Sequence, residues 1–211
     1  MRCGPGFLRL SFNKKNPASI AWARQQADVL IKGISDESRA AIRKVIGDSL
    51  EQGIPPVRAA SLIRRSVGMT ERDAGAMMKL RGMIVKNPGK TIAMGKFKVR
   101  VPAGGLSADQ LDATLSRYAN RAIHRRALSI ARTATLRSSN EGQRFLWGQA
   151  VEKGLMSGKE ERVWINTDDR KTCPICTGLD GKKAKLNGTF PGGYVSPPAH
   201  TGCRCATGLS N

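Results

Sequence analysis

The sequence predicts a mainly helical protein of the α+β class, with an N-terminal helical bundle, a long central helix and a small β-containing, Cys/His-rich C-terminal module. Apolar residues recur at helical spacing through most of the first 86 residues and again from Ser107 onward. Short stretches such as FKVRV alternate apolar and basic residues as strands do. Four of the five cysteines and one of the two histidines fall within the last forty residues. A region so small and rich in turns needs stabilisation beyond its own apolar core.

The N-terminal part is predicted as a basic arm at residues 1–15, followed by a bundle of four short helices at residues 16–86. Pro17 suits the first position of a helix, and Thr70 with Asp73 forms a capping pattern. Glycine and proline separate the apolar stripes. The four helices are predicted at about 17–33, 35–52, 56–66 and 70–86.

Residues 87–106 interrupt the helical pattern and are predicted as a connecting excursion or hairpin. Asn87-Pro88-Gly89 precedes the strand-like FKVRV segment, and Pro102 begins another turn-forming run after it. Such a segment separates two helical parts and is a candidate hinge.

The remainder, residues 107–211, is predicted as one domain that carries the Cys/His module at 160–207. Its helical pattern runs from Ser107 to about residue 137, or to about residue 154 if the helix continues through Ser138-Ser139-Asn140. Gly154 suits a C-cap at the longer limit.

The charge of the chain predicts an acidic partner. Lysine and arginine number 36 against 16 acidic residues, which gives a net charge of +20 spread over both halves. Self-repulsion of this size destabilises a free protein, so nucleic acid or an acidic protein surface is the expected partner. The alternative is a basic protein whose charge only keeps it in solution.

The chain is expected to be soluble and not exported. It has no apolar run near the roughly 20 residues of a membrane span, and its first residues lack the apolar core of a signal peptide. In a reducing compartment, cysteines spaced as CxxC and followed by HxxC favour metal ligation over disulfides.

The candidate metal ligands are Cys173, Cys176, His200, Cys203 and Cys205. Two thiolates separated by two residues can grip one ion from a single turn, and the HxxC segment can supply the other half of a tetrahedral zinc site. We therefore predict structural zinc, with five candidates for four positions. Disulfides such as Cys173 to Cys203 remain an alternative, and a redox-active CxxC is a weaker one.

Four arginines of the long helix form a candidate contact surface for DNA or an acidic partner. Arg117, Arg121, Arg125 and Arg132 fall within about 80° of one another at 100° per residue. No acidic residue lies between Asp112 and Glu141 in the sequence. We call these four residues the arginine stripe. A solvated helix face is the alternative, and the lack of interleaved aromatic residues disfavours a stacking platform for single strands.

No catalytic constellation is apparent, so we expect a protein that is not an enzyme. Asp168, Asp169 and Asp180 suggest a metal-dependent nuclease only weakly, because no second histidine lies near them to act as a base. His124 has no neighbouring carboxylate or thiol on its helix and is expected to be a bystander.

The C-terminal half resembles the phage Mu F-like family of minor head proteins, also called phage head morphogenesis proteins. The resemblance covers about residues 107–207 and lies in IARTATLRSSNEGQ, VWINTDDRKTCPICTGLDGKK and SPPAHTGCRC. The matching positions are Arg132-Thr133, Asp169-Arg170, Cys173-Pro174-x-Cys176, Asp180-Gly181, Pro197-Pro198-x-His200 and Cys203-Arg204-Cys205. Ala134 stands where members often have glutamate, so this chain lacks that carboxylate.

The resemblance implies a non-enzymatic virion component inside the head near the portal vertex, present in the host cytoplasm during assembly. Its implied partners are the portal protein, the major capsid or scaffold protein, and phage DNA bound without sequence preference. Head assembly and DNA packaging or ejection are the implied roles. The competing expectations are a free cytosolic nucleic-acid-binding zinc protein and, less favoured, a metal-dependent nuclease.

Overall fold

The computed structural model describes residues 17–26 and 35–210. The basic arm predicted at residues 1–15 lies outside the described residues, and so does the predicted end of the first helix near Gly33.

The described residues form six α-helices, one short 3₁₀ turn and five strands, which confirms the mainly helical α+β prediction. Ser35, Thr70 and Ser107 cap three of the helices by accepting a backbone N–H at their hydroxyl oxygens. In chain order the elements are α1 (Pro17–Gln26), α2 (Asp36–Glu51), α3 (Pro56–Ile63), the 3₁₀ turn (Arg64–Ser66), α4 (Glu71–Lys86), β1 (Thr91–Met94), β2 (Phe97–Arg100), α5 (Ala108–Glu152), β3 (Glu161–Ile165), α6 (Pro174–Leu179), β4 (Lys183–Lys185) and β5 (Ala206–Ser210).

Helix α5 runs for 45 residues without the interruption considered at residues 138–140. Ser138 and Asn140 are buried, and Asn140 donates to the Leu136 carbonyl within the helix. The helix ends where Gly154 takes a positive φ of 68° and the Leu155 N–H bonds to the Ala150 carbonyl at 2.8 Å. Glycine is favoured there because a side chain would strain the left-handed backbone.

Two apolar cores follow one another along α5, and a third lies within the Cys/His module. The first third of the helix packs with α4 and the β1–β2 hairpin around Leu80, Phe97 and Tyr118. The middle third packs with α1, α2 and α3 around residues such as Ile46 and Ala131. The last third lies against the Cys/His module. Helix α5 is therefore shared by the N-terminal bundle and the module, and the domain boundary at residue 107 stays a prediction.

The two sheets are small and antiparallel. The excursion at 87–106 is a hairpin in which Met94 pairs with Phe97 across the Gly95-Lys96 turn. The module contains a three-stranded sheet in the order β4-β3-β5. The third predicted helix differs slightly, because its last turn, Arg64–Ser66, tightens to 3₁₀. Within the described residues, no helix is long and apolar enough to cross a membrane.

Candidate metal centre and arginine stripe

The five predicted ligands converge at one end of the module. Cys173 caps the N-terminus of α6, where Pro174 occupies the first helical position, and Cys176 lies one turn further on. His200, Cys203 and Cys205 come from the segment that leads into β5. A short helix and a returning loop thus bring together residues that are about thirty positions apart in the sequence.

The ligand atoms form two overlapping triads. Cys173 Sγ and Cys176 Sγ lie 3.1 and 3.4 Å from His200 Nε2, and Cys176 Sγ lies 3.6 Å from Cys203 Sγ. The triads are Cys173, Cys176 and His200, and then Cys176, Cys203 and Cys205, with all ligand atoms of each triad within 4.8 Å of one another. The four described cysteines are free thiols, so the structure does not adopt the disulfide alternative. Cys176 belongs to both triads and is the centre of the cluster.

The space between the triads suits a single ion. All five residues line one cavity of about 20 Å³, which is close to the room that one water molecule needs. Tetrahedral zinc with Zn–S bonds near 2.3 Å would place its sulfur ligands roughly 3.8 Å apart. The Cys176–Cys203 separation is close to that value. Thiolates with one imidazole are also the donor set that zinc prefers.

His200 is oriented for ligation through Nε2. Its Nδ1 lies 3.0 Å from the carbonyl oxygen of Thr201. A carbonyl can only accept, so Nδ1 carries the proton and the lone pair is left on Nε2. A backbone carbonyl behind the imidazole is a usual support of a metal-bound histidine.

The thiols differ in their acidity. The backbone N–H of Cys176 donates to Cys173 Sγ at 3.5 Å. This bond is the largest cause that lowers the pKa of Cys173 to about 7. Burial raises the pKa of Cys176 and that of Cys205. Without a cation, two of the thiols are therefore held neutral, while ligation would require them as thiolates.

Polar residues of α5 hold the loop that carries the last three ligands, and sequence reasoning did not single out this role. Thr133 Oγ1 accepts the backbone N–H of Gly202 at 3.1 Å. Asn140 Oδ1 accepts the backbone N–H of Thr207 at 3.0 Å. Both helix residues are buried. The available signal was their spacing of seven, which places them on one face of the helix.

A further residue that sequence reasoning missed, Arg162, fixes the module from inside. Arg162 is fully buried and donates from its three guanidinium nitrogens to the carbonyls of Lys185, Val195 and Gly188 at 3.2, 2.6 and 2.5 Å. Burial lowers its pKa from the usual arginine value. Arg162 thus ties β3 to the two loops on either side of Phe190.

Glu141 supplies a further contact between α5 and the module. Its Oε1 accepts the Ser196 hydroxyl, and its Oε2 lies 2.9 Å from Arg144 Nε. The carboxylate is buried and therefore loses its hydrogen bonds to water, and these two bonds replace them.

The three aspartates near the cluster shape or connect the loops of the module. Asp169 forms a two-point ion pair with Arg204, with both N–O distances 2.6 Å, and this pair lowers the pKa of Asp169. Asp180 accepts the backbone N–H of Asn166 at 2.9 Å, and Asp168 has a positive φ of 40°. Among the described residues, none of the three belongs to a group able to hold a metal.

All four members of the arginine stripe are exposed on α5. The guanidinium of Arg121 lies 5.2 Å from the ring centre of Phe97, and Arg117 donates to the Thr114 hydroxyl. Asp73 of α4 comes within 3.9 Å of Arg125, a counter-charge that the sequence of α5 alone does not show. The stripe is therefore an accessible cationic face on which Asp73 partly neutralises the charge of Arg125. Its use for binding stays a prediction.

The fold and the site define a helical protein whose long helix carries a Cys/His module able to hold a metal. The sequence model of the family described as "Phage Mu protein F like protein" matches residues 102–208. These residues are half of the chain, so the protein belongs to the phage Mu F-like family of head morphogenesis proteins. No curated protein and no solved structure matches the chain.

Proposed function

We propose that the protein is a minor component of a bacteriophage head, located inside it near the portal vertex, and that it acts in head assembly and in DNA packaging or ejection. The observation that carries this proposal is the family match at residues 102–208. The matched region begins just after the hairpin and ends within β5, so it covers α5 together with the whole module. Within that region, buried hydrogen bonds join α5 to the segment that carries the last three candidate ligands. Such a packed unit suits an architectural role.

The metal of the module is proposed to be one structural zinc ion. Cys173, Cys176, His200 and Cys203 are the favoured ligands, since their closest contacts form a continuous chain through Cys176 and His200. Cys205 is the alternative fourth ligand, because it shares a triad with Cys176 and Cys203. Bound zinc would supply folding free energy that so small a core lacks.

The arginine stripe is proposed to contact packaged DNA or an acidic protein of the head. Exposed guanidinium groups make charge-assisted bonds to phosphates and carboxylates. The net charge of +20 supports a polyanionic environment. DNA binding of this kind would be independent of sequence, since it reaches the phosphates and not the bases.

The protein is proposed not to be an enzyme. The support is geometric. Asp169 is engaged by Arg204, and Asp180 accepts the backbone N–H of Asn166. The thiolate-rich donor set also favours a closed structural zinc over an open hydrolytic one. Sustained plasmid cleavage with magnesium or manganese that disappears in Asp169→Ala would overturn this part of the proposal.

The stoichiometry of purified heads tests the main proposal. Quantitative mass spectrometry of DNA-filled heads should find the protein at a few copies per portal, and cross-linking should join it to the portal or the major capsid protein. Its absence from purified heads would contradict the assignment. Co-purification with DNA but not with portal protein would favour a free nucleic-acid-binding protein.

A further inference from the structure

A cleft separate from the metal centre lies between α5 and the tip of the β1–β2 hairpin. Its volume is about 800 Å³, within the usual range for ligand pockets. The floor is apolar and is formed by Met94, Phe97 and Tyr118. A second cavity of about 590 Å³ shares Met94, Tyr118 and Arg125, so the two cavities are adjacent.

The rim of the cleft is cationic. Its charged residues come from the 3₁₀ turn, the hairpin tip and α5, and they are Arg64, Lys96, Arg121 and Arg125. Among the described residues, no carboxylate lines it. Asp73 lines the adjacent cavity and lies 3.9 Å from Arg125. The other three rim cations have no acidic group beside them among the described residues that line the cleft.

We propose that this cleft binds an acidic polypeptide segment whose apolar side chain enters between the hairpin and α5. Charge complementarity selects carboxylates for the rim, and the apolar floor selects an apolar anchor. A segment with both features would use the whole surface, as amphipathic segments do in grooves. This proposal rests on the proposed role as a head component and names the chemistry of the protein partner.

Nucleic acid fits the cleft less well. Duplex DNA offers phosphates to the rim but no apolar side chain for the floor. A single strand would need an open aromatic face for stacking. The Phe97 ring is already contacted by the Arg121 guanidinium and by the Tyr118 ring, so it is not free to stack on a base.

Fluorescence anisotropy with the full chain tests the proposal. The probe is a labelled 14-residue peptide rich in Asp and Glu that carries two leucines four positions apart. The matched peptide has serine in place of both leucines and the same charge. The leucine peptide should bind at least tenfold more tightly, and equal binding of the two would overturn the proposal, since charge alone would then explain it.

A pair of charge-matched variants locates the site. Lys96→Glu with Arg121→Glu changes the rim, whereas Arg58→Glu with Lys79→Glu makes the same charge change at exposed positions of α3 and α4 that lie outside both the cleft lining and the arginine stripe. The rim pair should weaken leucine-peptide binding at least tenfold and the control pair less than threefold, with helical circular dichroism unchanged. Equal weakening would overturn the proposal.

Competition by a 20-base-pair DNA duplex tests whether the cleft binds nucleic acid instead. If duplex binding depends on Lys96 and Arg121 more than on Arg117 and Arg132, the cleft is a nucleic-acid site and the proposal is wrong. The assay needs no particle, so absence of the protein from purified heads would leave its result unchanged.

Discussion

The side-chain oxygen of Asn140 accepts the backbone N–H of Thr207 at 3.0 Å, a buried bond between the long helix and the strand that follows the last cysteine. Strand β5 is at the edge of its sheet, so this N–H would otherwise be unpaired. The Asn140 amide also reaches the Cys205 carbonyl at 3.5 Å. One residue of α5 thus bonds to the backbone on either side of Ala206 and positions the end of the ligand loop.

Asn140→Ala should destabilise the protein by about 1–3 kcal/mol, because a buried backbone N–H loses its partner. Urea unfolding of the metal-loaded protein measures the change. Ser139→Ala, its neighbour on the same helix, is the matched control and should stay within about 0.5 kcal/mol of the parent. Equal effects in the two variants would show that Asn140 does not hold the strand.

Arg162→Lys should lower the free energy of unfolding by about 3 kcal/mol or more despite conserving the charge. A lysine ammonium cannot reproduce the planar fork that reaches three separate carbonyls, so some of these would be left unpaired. Chemical denaturation is the measurement. The exposed Arg170→Lys serves as control, and a tolerated Arg162→Lys would contradict the proposed role of the buried guanidinium.

In the metal-free, reduced protein, Cys173 should be alkylated fastest of the four module thiols. Its pKa of about 7 means that about half is thiolate at pH 7, whereas burial raises the pKa of Cys176 and keeps it protonated. The rate at Cys173 should rise with pH and level off above about pH 8. Peptide mass spectrometry after iodoacetamide treatment measures it, and faster labelling of Cys176 would contradict the geometry.

Arg117→Ala with Arg132→Ala should reduce the salt dependence of DNA binding. The slope of log K against log salt should fall by roughly two, about one for each phosphate that the variant no longer binds. Binding to two duplexes of unrelated sequence should weaken equally. Arg58→Ala, an exposed arginine of α3, is the control, and an unchanged slope in the double variant would show that the stripe does not contact phosphates.

The helices and the clustering of the Cys/His residues were predictable because their signals are local. Apolar spacing and caps such as Ser35, Thr70 and Ser107 indicated where helices begin, and the CxxC and HxxCxC spacing indicated one ligand cluster. These patterns depend on residues within one or two turns of each other.

The supports of the site were not predictable because they join distant parts of the chain. Asn140 and Thr207 are 67 positions apart, and Thr133 and Gly202 are 69 apart. The burial of Arg162 was not predictable for a different reason. Strand alternation would favour Val163 and Ile165 on the buried face, yet Arg162 and Trp164 are buried and Ile165 is 46% exposed. The guanidinium is accepted there because loop carbonyls surround it.

The zinc content of the reduced protein tests the central claim, that the Cys/His cluster is a structural metal centre in an architectural protein. Elemental analysis should find about one equivalent per chain, with loss in Cys173→Ser and retention in Cys3→Ser. Chelation should unfold the module and leave far-ultraviolet helicity largely intact, because α5 also packs on the bundle. Less than about half an equivalent, or full retention in Cys173→Ser, would contradict the claim.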